Sequence, residues 1–341
     1  MRKILLKLFL ALFPILLVLG LYFYEDPFKV LYHYDSYFPK NGTQYIVLNK
    51  DYVSTETFVN NYPKFKYDSY IFGNSRSMYF HISDWQKHIH STGCFHFDAS
   101  GETLYGIERK FQFLHDRGVV IKNALLVIDQ SVCANTRNMG EAHLFRKDPL
   151  LSGEKKIDFQ TNCLKAFFDI KFLTAYISLL FTHRVSKKAT DDLLLNTVSE
   201  HYDETTNELS FPLYDSIIEK NKDSFYRPRA NVFYIRDTAR KYANQTIKDE
   251  QKKLFYNIKR ILDEDQTTYR VVISPLYDQV KFDSTDLKIL FSIFGESDVY
   301  DFSGINEITQ NKYNYYENSH YRPFIANRIM DSIYSDHTNI K

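Results

Sequence analysis

Three residues of the chain have types and positions that suit nucleophilic catalysis. Ser75 lies in the motif Gly73-Asn74-Ser75, directly after a short apolar segment. A serine hydroxyl is a weak nucleophile unless a neighbouring base takes its proton. His320, near the end of the chain, can be that base, and Glu317 can accept the other ring N–H. The sequence therefore predicts a nucleophile, a base and an orienting carboxylate.

Each of these residues also has a plain structural explanation when it is taken alone. Gly-Asn-Ser is common turn chemistry, and His320 and Glu317 could simply belong to the start of a helix. Their order, and their expected position at the rim of one sheet, favour the catalytic interpretation. Arg76 follows Ser75 and either binds an anionic group of a substrate or forms an ion pair with a neighbour.

Alternating strands and helices are predicted to hold these residues. The predicted strands are residues 70–72, 94–97, 124–128, 270–273 and 299–302. The predicted helices are a short one opened by a capping box at 83–86 and longer ones at 104–115, 246–264, 284–294 and 321–335. Such alternation is typical of a parallel sheet with helices on both faces. Ligands bind such sheets beyond the carboxyl ends of the strands, where Ser75 and His320 are expected.

Residues 4–24 form an apolar segment in which Lys7 is the one charged residue. About 20 apolar residues suffice to span a bilayer. The basic residues at its start predict a cytoplasmic N-terminus, and no small-x-small cleavage site follows. The predicted divisions are a signal anchor at 1–24, an irregular, Tyr-rich stalk or cover at 25–66, and an α/β domain at 67–336 with an insertion at about 131–245.

The insertion contains an amphipathic segment rich in Phe and Leu at residues 164–181. Its apolar face either packs on the main domain or lies on a membrane or a partner. With the anchor in a membrane, the folded domain is expected on the periplasmic or extracellular side.

The composition excludes several classes of protein. Lys and Arg number 43 and Asp and Glu number 42, so no basic field favours nucleic acid. The three cysteines are too few for a disulfide framework or a cysteine-rich zinc site. His88 and His90 face different sides of a helix and cannot chelate together. The sequence has no P-loop, Gly-x-Gly-x-x-Gly or Cys-x-x-Cys motif, so neither a nucleotide cofactor nor a metal is expected.

The pattern resembles the SGNH/GDSL hydrolase superfamily, in which the serine follows Gly-Asp or Gly-Asn on the first strand and Asp-x-x-His lies near the C-terminus. It is most similar to membrane-anchored SGNH-like proteins of cell-surface polysaccharide O-acylation, such as those of alginate acetylation and teichoic-acid D-alanylation. The matching parts are residues 67–130 and 268–336. The resemblance implies a flavodoxin-like three-layer sandwich around a parallel sheet, with a large, mainly helical insertion and an N-terminal transmembrane helix.

The resemblance also implies roles for further residues. Gly101 stands near the position of an oxyanion-hole glycine, and Glu317 stands where the family usually has Asp. The family commonly has an oxyanion-binding asparagine after the third strand, where this chain has Asp129 and Gln130. An ionised Asp129 would repel an oxyanion, whereas the Gln130 amide could donate to it.

Two functions follow from these observations. The first is an exported, membrane-anchored acyl-ester enzyme, an esterase or an O-acyltransferase of acetyl groups, that uses Ser75, His320 and Glu317. By resemblance, it would act on a bacterial surface polysaccharide or a small acyl ester, with a multi-pass membrane acyltransferase as a possible partner. The alternative is a non-catalytic glycan-binding or assembly module, which the 16% aromatic content would suit. A working site requires Ser75 Oγ within about 2.6–3.2 Å of a His320 nitrogen.

Overall fold

A computed structural model of the chain describes residues 2–39, 45–138, 142–185, 201–237 and 239–335. Its strands are β1 (Ser69–Gly73), β2 (Cys94–His96), β3 (Asn123–Ile128), β4 (His201–Asp203), β5 (Glu208–Ser210), β6 (Lys241–Tyr242), β7 (Thr268–Ile273), β8 (Val280–Lys281) and β9 (Val299–Asp301). Five of them form one parallel sheet in the order β2-β1-β3-β7-β9. β4 pairs antiparallel with β5, and β6 pairs parallel with β8. The prediction of an α/β fold around a central parallel sheet is confirmed.

Helices connect and cover these strands. They are α1 (Arg2–Glu25), α2 (Lys50–Phe65), α3 (Ile82–Ile89), α4 (Leu104–Asp116), α5 (Gln130–Ala134), α6 (Pro149–Ser152), α7 (Lys156–Phe167), α8 (Ile170–Thr182), α9 (Pro212–Lys220), α10 (Lys222–Tyr226), α11 (Asp249–Glu264), α12 (Ser284–Phe294), α13 (Glu307–Gln310) and α14 (Pro323–Tyr334). The predicted helices at 104–115, 246–264, 284–294 and 321–335 correspond to α4, α11, α12 and α14.

Side chains that alternate along the strands build a hydrophobic core on each face of the sheet. Tyr70 and Phe72 of β1 pack in the core that includes α4, α11 and α12. Ile71 packs in the opposite core, which includes α3 and α14. Because both faces are covered, β1 is buried along its whole length and its side chains are mostly apolar. The arrangement is a sheet between two layers of helices.

The capping box predicted at residues 83–86 does not form. α3 begins at Ile82, and its N-cap residue, His81, makes no side-chain cap hydrogen bond. Instead, Glu208 of β5 accepts a hydrogen bond from the Ile82 N–H at 2.6 Å. A carboxylate from the insertion therefore satisfies the first turn of this helix, which a local sequence pattern cannot reveal.

The prediction of an irregular segment at 25–66 was wrong for the 16 residues of α2. Asn49 caps this helix, because its side-chain oxygen accepts from the N–H groups of Asp51 and Tyr52 at 3.0 and 3.2 Å. The first turns of α2 are buried, including Lys50 and Asp51. These buried polar side chains weaken the apolar periodicity from which a helix is predicted.

Residues 4–24 lie within α1, which contains Pro14. Near the end of α1, the ring of Tyr22 packs against that of Phe167, with 5.0 Å between the ring centroids. The described residues contain no helix that is both long and apolar enough to cross a membrane, so the predicted transmembrane helix is not found among them.

The insertion packs in two separate places. The single segment predicted at 164–181 is two helices, because the chain breaks at Phe168 and Asp169 caps α8. Phe172 and Tyr176 of α8 join a third hydrophobic core that is built with α7 and the N-terminal part of the chain. Helices α9 and α10 instead pack in the same core as α3 and α14. One part of the insertion thus lies close to the C-terminal elements of the domain.

Candidate active site

Ser75 lies in the turn that follows β1, residues 73–77, here called the Ser75 turn. A Cβ atom on Gly73 would lie 2.6 Å from the carbonyl oxygen of Val127 and 2.8 Å from Cβ of Ser77. Only glycine fits between β3 and the turn at this point. The tight turn leaves Ser75 half-buried at the carboxyl end of the sheet.

His320 lies in the segment before α14, residues 316–322, here called the His320 loop. Tyr315 and Tyr321 form an isolated antiparallel bridge at its base. Within the loop, the Tyr316 N–H donates to the His320 carbonyl oxygen at 2.9 Å. The bridge and this hydrogen bond hold the loop as a narrow hairpin in which His320 lies opposite Tyr316.

The two segments bring the predicted residues together across 245 positions of sequence. Ser75 Oγ lies 2.7 Å from His320 Nε2. His320 Nδ1 is hydrogen-bonded to Glu317 Oε1, and Glu317 Oε2 accepts the Ser319 N–H at 2.8 Å. With the ring proton on Nδ1, donated to Glu317, Nε2 presents its lone pair to the serine hydroxyl. This geometry can activate Ser75 as a nucleophile.

Arg76 joins three parts of the site. Its Nη1 donates to Asp129 Oδ2 at 2.7 Å. Its Nε donates to the Ser319 carbonyl oxygen at 3.0 Å, and its Nη2 donates to Ser319 Oγ at 3.1 Å. Of the two alternatives for Arg76, the structure shows the ion pair. The guanidinium therefore connects the Ser75 turn, the end of β3 and the His320 loop.

Asp129 follows β3 and is buried. It accepts hydrogen bonds from Asn74 Nδ2 at 2.8 Å and from the N–H groups of Ser131 and Val132 at 2.7 and 3.1 Å. Burial pushes the pKa of this carboxyl upward, but Arg76 and the hydrogen bonds outweigh burial and hold the pKa below its usual value. Asp129 is thus a paired carboxylate, which reduces the repulsion that it would exert on an oxyanion.

Gly101 lies in the segment that continues β2. This segment runs beside β1, because Phe97 N–H donates to the Ile71 carbonyl at 2.8 Å and Ala99 N–H to the Gly73 carbonyl at 3.2 Å. Gly101 has a φ of +59°, a left-handed conformation that favours glycine. The segment therefore reaches the same edge of the sheet as the Ser75 turn.

Gln130 is engaged away from the triad. Its Nε2 donates to the Asn244 carbonyl oxygen at 3.2 Å and to Thr246 Oγ1 at 3.3 Å. Both amide hydrogens thus have acceptors at the end of the insertion. The predicted role of Gln130 as an oxyanion donor would require the amide to leave them.

His96 supports the Ser75 turn from within the domain. Its Nε2 lies 2.9 Å from the Ser77 carbonyl oxygen, and its Nδ1 lies 3.2 Å from Asp98 Oδ1. Burial raises the pKa of Asp98, but Lys50 and His96 outweigh burial and lower it to about 2. The buried side chains of His96, Asp98 and Lys50 therefore support the turn that carries Ser75.

The sequence did not single out Tyr79 or Asp215. The Tyr79 ring lies 5.7 Å from the His320 ring, centroid to centroid, and burial raises the pKa of its phenol. Asp215 of α9 binds Arg322, two residues after His320, at 2.9 Å. Asp215 belongs to the insertion, where no motif or apolar periodicity marks it.

A metal site has no support from the described residues. In the described ranges, no three His, Cys, Asp or Glu side chains gather as metal ligands. The chemistry that the site can perform with its own groups is proton transfer between Ser75 and His320 and nucleophilic attack by Ser75.

Comparisons with known proteins add no family assignment. No protein-family model matches the chain, and no curated protein matches its sequence. The geometry of the site is therefore the main basis for inferring a function.

Proposed function

We propose that the chain is a serine-dependent acyl-ester enzyme with Ser75 as nucleophile, His320 as general base and Glu317 as orienting carboxylate. The observation that carries the proposal is the continuous set of contacts from Ser75 Oγ, 2.7 Å from His320 Nε2, through the ring to Glu317. This distance falls within the range of about 2.6–3.2 Å that proton transfer requires.

The proposed reaction has two steps, the acylation of Ser75 and its deacylation. Ser75 Oγ attacks the carbonyl carbon of the ester while its proton passes to His320 Nε2, and the collapse of the tetrahedral adduct releases the alcohol, which takes that proton. The acyl group then stays on Ser75. Water or a sugar hydroxyl attacks the acyl-enzyme, gives its proton to His320, and frees Ser75, which recovers the proton.

The position of the site in the sheet supports this proposal. In the order β2-β1-β3-β7-β9, the chain leaves β1 towards β2 on one side and leaves β3 towards β7 on the other, so the two connections diverge between β1 and β3. This is the strand order of flavodoxin-like sheets, whose ligands bind at that switch point, beyond the carboxyl ends of the strands. Ser75 follows β1 and Asp129 follows β3, as they would in the SGNH-like fold that the sequence resembles.

The acceptor, the partners and the location rest on the resemblance alone. It favours a surface polysaccharide as acceptor, a multi-pass membrane acyltransferase as acyl donor, and a domain outside the cytoplasm. Attack by water would make the enzyme an esterase, whereas attack by a sugar hydroxyl would make it an O-acyltransferase.

The test uses the full chain with a small chromogenic acetyl ester and a serine-directed fluorophosphonate. We expect ester turnover, and a phosphonyl adduct located on Ser75 by peptide mass spectrometry. Ser75→Ala and His320→Gln should each lower turnover by about 10⁴-fold or more, because each removes a member of the triad. Ser297→Ala changes an exposed serine in the short 3-10 helix before β9, at the amino end of that strand, and should leave turnover unchanged.

A folded parent protein that neither turns over the ester nor forms the adduct would overturn the proposal. That result would favour the non-catalytic glycan-binding module. An adduct that forms equally in Ser75→Ala would place the reactive serine elsewhere in the chain and would also contradict the assignment.

A further inference from the structure

Asp215 in the insertion binds both ends of the His320 loop. Its Oδ1 accepts from Arg322 Nε at 2.9 Å and lies 2.8 Å from Arg322 Nη2. Its Oδ2 accepts a hydrogen bond from the Tyr316 hydroxyl. Tyr316 and Arg322 are the first and last residues of the loop, so Glu317 and His320 lie between two side chains that share one carboxylate.

We propose that Asp215 is a positioning residue that holds the His320 loop in the geometry needed for proton transfer, an inference that rests on the proposed function. The insertion then contributes to the catalytic unit, although none of its described residues forms a hydrogen bond with Ser75. A displacement of about 1 Å between reacting groups can cost about 10²-fold in rate, so a loop fixed at both ends matters for catalysis.

Other contacts also restrain the loop: Arg322 donates its N–H to the Asn314 carbonyl oxygen at 2.8 Å, and Tyr315 forms a bridge with Tyr321. On the sheet side, Arg76 binds Ser319, in the middle of the loop. On the opposite side, the insertion supplies Asp215. The loop itself contains one internal backbone hydrogen bond, from the Tyr316 N–H to the His320 carbonyl. Side-chain contacts from two separate elements thus add to the backbone hydrogen bonds that hold the loop.

Asp215 is itself well fixed. It lies in the first turn of α9, where a carboxylate interacts favourably with the helix dipole. The neighbouring Tyr214 ring packs 5.5 Å from the Tyr316 ring, and Ile218 of the same helix is buried in the core. α9 therefore presents the carboxylate from a packed surface.

The chemistry of the partners suits a permanent contact. Burial and the hydrogen bond to Asp215 raise the pKa of Tyr316, so its phenol keeps the proton that it donates. The side chains of Arg322 and Asp215 are 15% and 29% exposed, so water screens this ion pair less than it screens a surface pair. Two N–H groups of the Arg322 guanidinium face Asp215, and two contacts fix the orientation of the Arg322 side chain better than one does.

The experiment compares Asp215→Ala, Asp215→Asn and the parent, each as the full chain. The first measurement is the rate at which the fluorophosphonate labels Ser75. The second is the proton NMR signal of the His320 Nδ1–H, which a hydrogen bond to a carboxylate shifts far downfield. Loss of that signal in His320→Gln and Glu317→Gln assigns it. The signal requires no turnover, so it tests the loop separately from the enzyme activity.

We expect Asp215→Ala to lower the labelling rate by about 10²-fold. Its downfield signal should broaden or disappear as the loop opens to water. Asp215→Asn keeps an acceptor for Tyr316 and should recover part of the rate and the signal. A substrate assay should show the loss mainly in kcat, because Asp215 acts on the base and not on binding.

Glu154→Gln is the matched control. Glu154 forms an ion pair with Arg146 elsewhere in the insertion, with side chains 15% and 16% exposed. It does not contact the His320 loop. We expect this variant to keep the labelling rate and the downfield signal of the parent.

Several results would overturn the inference. It fails if Ser75 of Asp215→Ala is labelled at the parent rate with the signal intact, or if Glu154→Gln loses as much of the labelling rate and the signal as Asp215→Ala. A parent protein without the signal would show that Glu317 does not hold His320. A parent that shows the signal but cannot be labelled would contradict the proposed function, and the effect of Asp215→Ala on the signal would still decide the inference.

Discussion

The carboxylate of Glu317 uses both of its oxygens inside the His320 loop. Oε1 is hydrogen-bonded to His320 Nδ1, and Oε2 accepts the Ser319 N–H at 2.8 Å. One side chain therefore both orients the imidazole and joins two residues of the loop.

Glu317→Gln should lower kcat by about 10²–10⁴-fold with little change in KM. Both carboxylate oxygens face N–H donors, so the amide group of Gln must point its own N–H₂ at one of them. If it faces His320, the ring takes the tautomer that cannot accept the Ser75 proton. Steady-state kinetics with the acetyl ester measure the effect. Glu317→Asp keeps the charge and should lower kcat less than Glu317→Gln does. An equal decrease of kcat in both variants would contradict this account.

At the residue scale, the meeting of Ser75, His320 and Glu317 could be predicted because the sequence signal is local and ordered. Ser75 follows a predicted strand, and Glu317 and His320 precede a predicted helix. The contacts of Arg76 and Gln130 could not be predicted, because their acceptors lie in segments that only the folded chain brings near. A side chain with several donors gives no sequence signal for which acceptor it will use.

The turn after β1 depends on close contact with β3. Gly73→Ala should destabilise the protein by about 1–3 kcal/mol, because the new methyl group would lie 2.6 Å from the Val127 carbonyl oxygen and must push β3 or the turn away. It should also slow labelling of Ser75. Urea unfolding and the phosphonate labelling rate measure the two effects.

Gly118→Ala is the control for this substitution. Gly118 has a φ of +67°, and a Cβ there would meet no atom within 4 Å. Gly118→Ala should lower the free energy of unfolding by about 1 kcal/mol, because alanine disfavours this left-handed backbone conformation. It should leave the labelling rate of Ser75 unchanged. The account would be wrong if Gly73→Ala lowered the free energy of unfolding no more than Gly118→Ala does and if its Ser75 were labelled at the parent rate. The contact between Gly73 and Val127 would then not determine the geometry of the site.

At the element scale, the sheet was more predictable than the parts around it. The strands of the sheet are short apolar segments because helices cover both faces, so composition alone reveals them. α2 was missed because Lys50 and Asp51 are buried through ionic and hydrogen-bonded contacts, which apolar periodicity does not register. The break between α7 and α8 was missed because Asp169 caps a new helix inside an apolar segment.

Buried charges connect the separate regions of the molecule. Lys110 of α4 and Lys147 of the insertion both bind Asp51 of α2, at 3.2 and 3.1 Å, and both also bind Glu102, which follows β2. All four side chains are almost fully buried. Lys and Glu are rarely buried unless they are paired, so the sequence gives no sign of this network. The insertion is therefore attached to the domain by ion pairs as well as by apolar contacts.

Asp148 lies beside this network, and none of the ion pairs found in the described residues includes it. Its backbone N–H donates to Asp51 Oδ1 at 2.9 Å, and its Oδ1 caps α6 by accepting the Leu150 N–H at 2.7 Å. Burial raises the pKa of this carboxyl well above its usual value, and the nearby Glu56 and Asp51 raise it further. Ionised Asp148 therefore opposes folding.

The sign of the effect on stability follows from this shift. Below the ordinary carboxyl pKa, Asp148 is protonated in both states and has no such cost. As the pH rises above that value, the unfolded chain ionises first, and stability falls by about 1 kcal/mol per pH unit until the folded group also ionises. Asp148→Asn keeps the cap without the charge. It should thus be more stable than the parent at neutral pH, by a margin that shrinks towards about pH 4.

Urea unfolding at several pH values measures that margin for the whole molecule. Asp158→Asn, an exposed acidic residue in the first turn of α7, should show no comparable gain at neutral pH. If Asp148→Asn destabilised the protein equally at all pH values, the carboxylate would act through its hydrogen bonds alone. A gain confined to neutral pH would show that burial of the Asp148 carboxyl costs stability where the insertion joins the domain. Its attachment would then weaken with rising pH, while paired carboxylates such as Asp98, with a pKa of about 2, stabilise the fold.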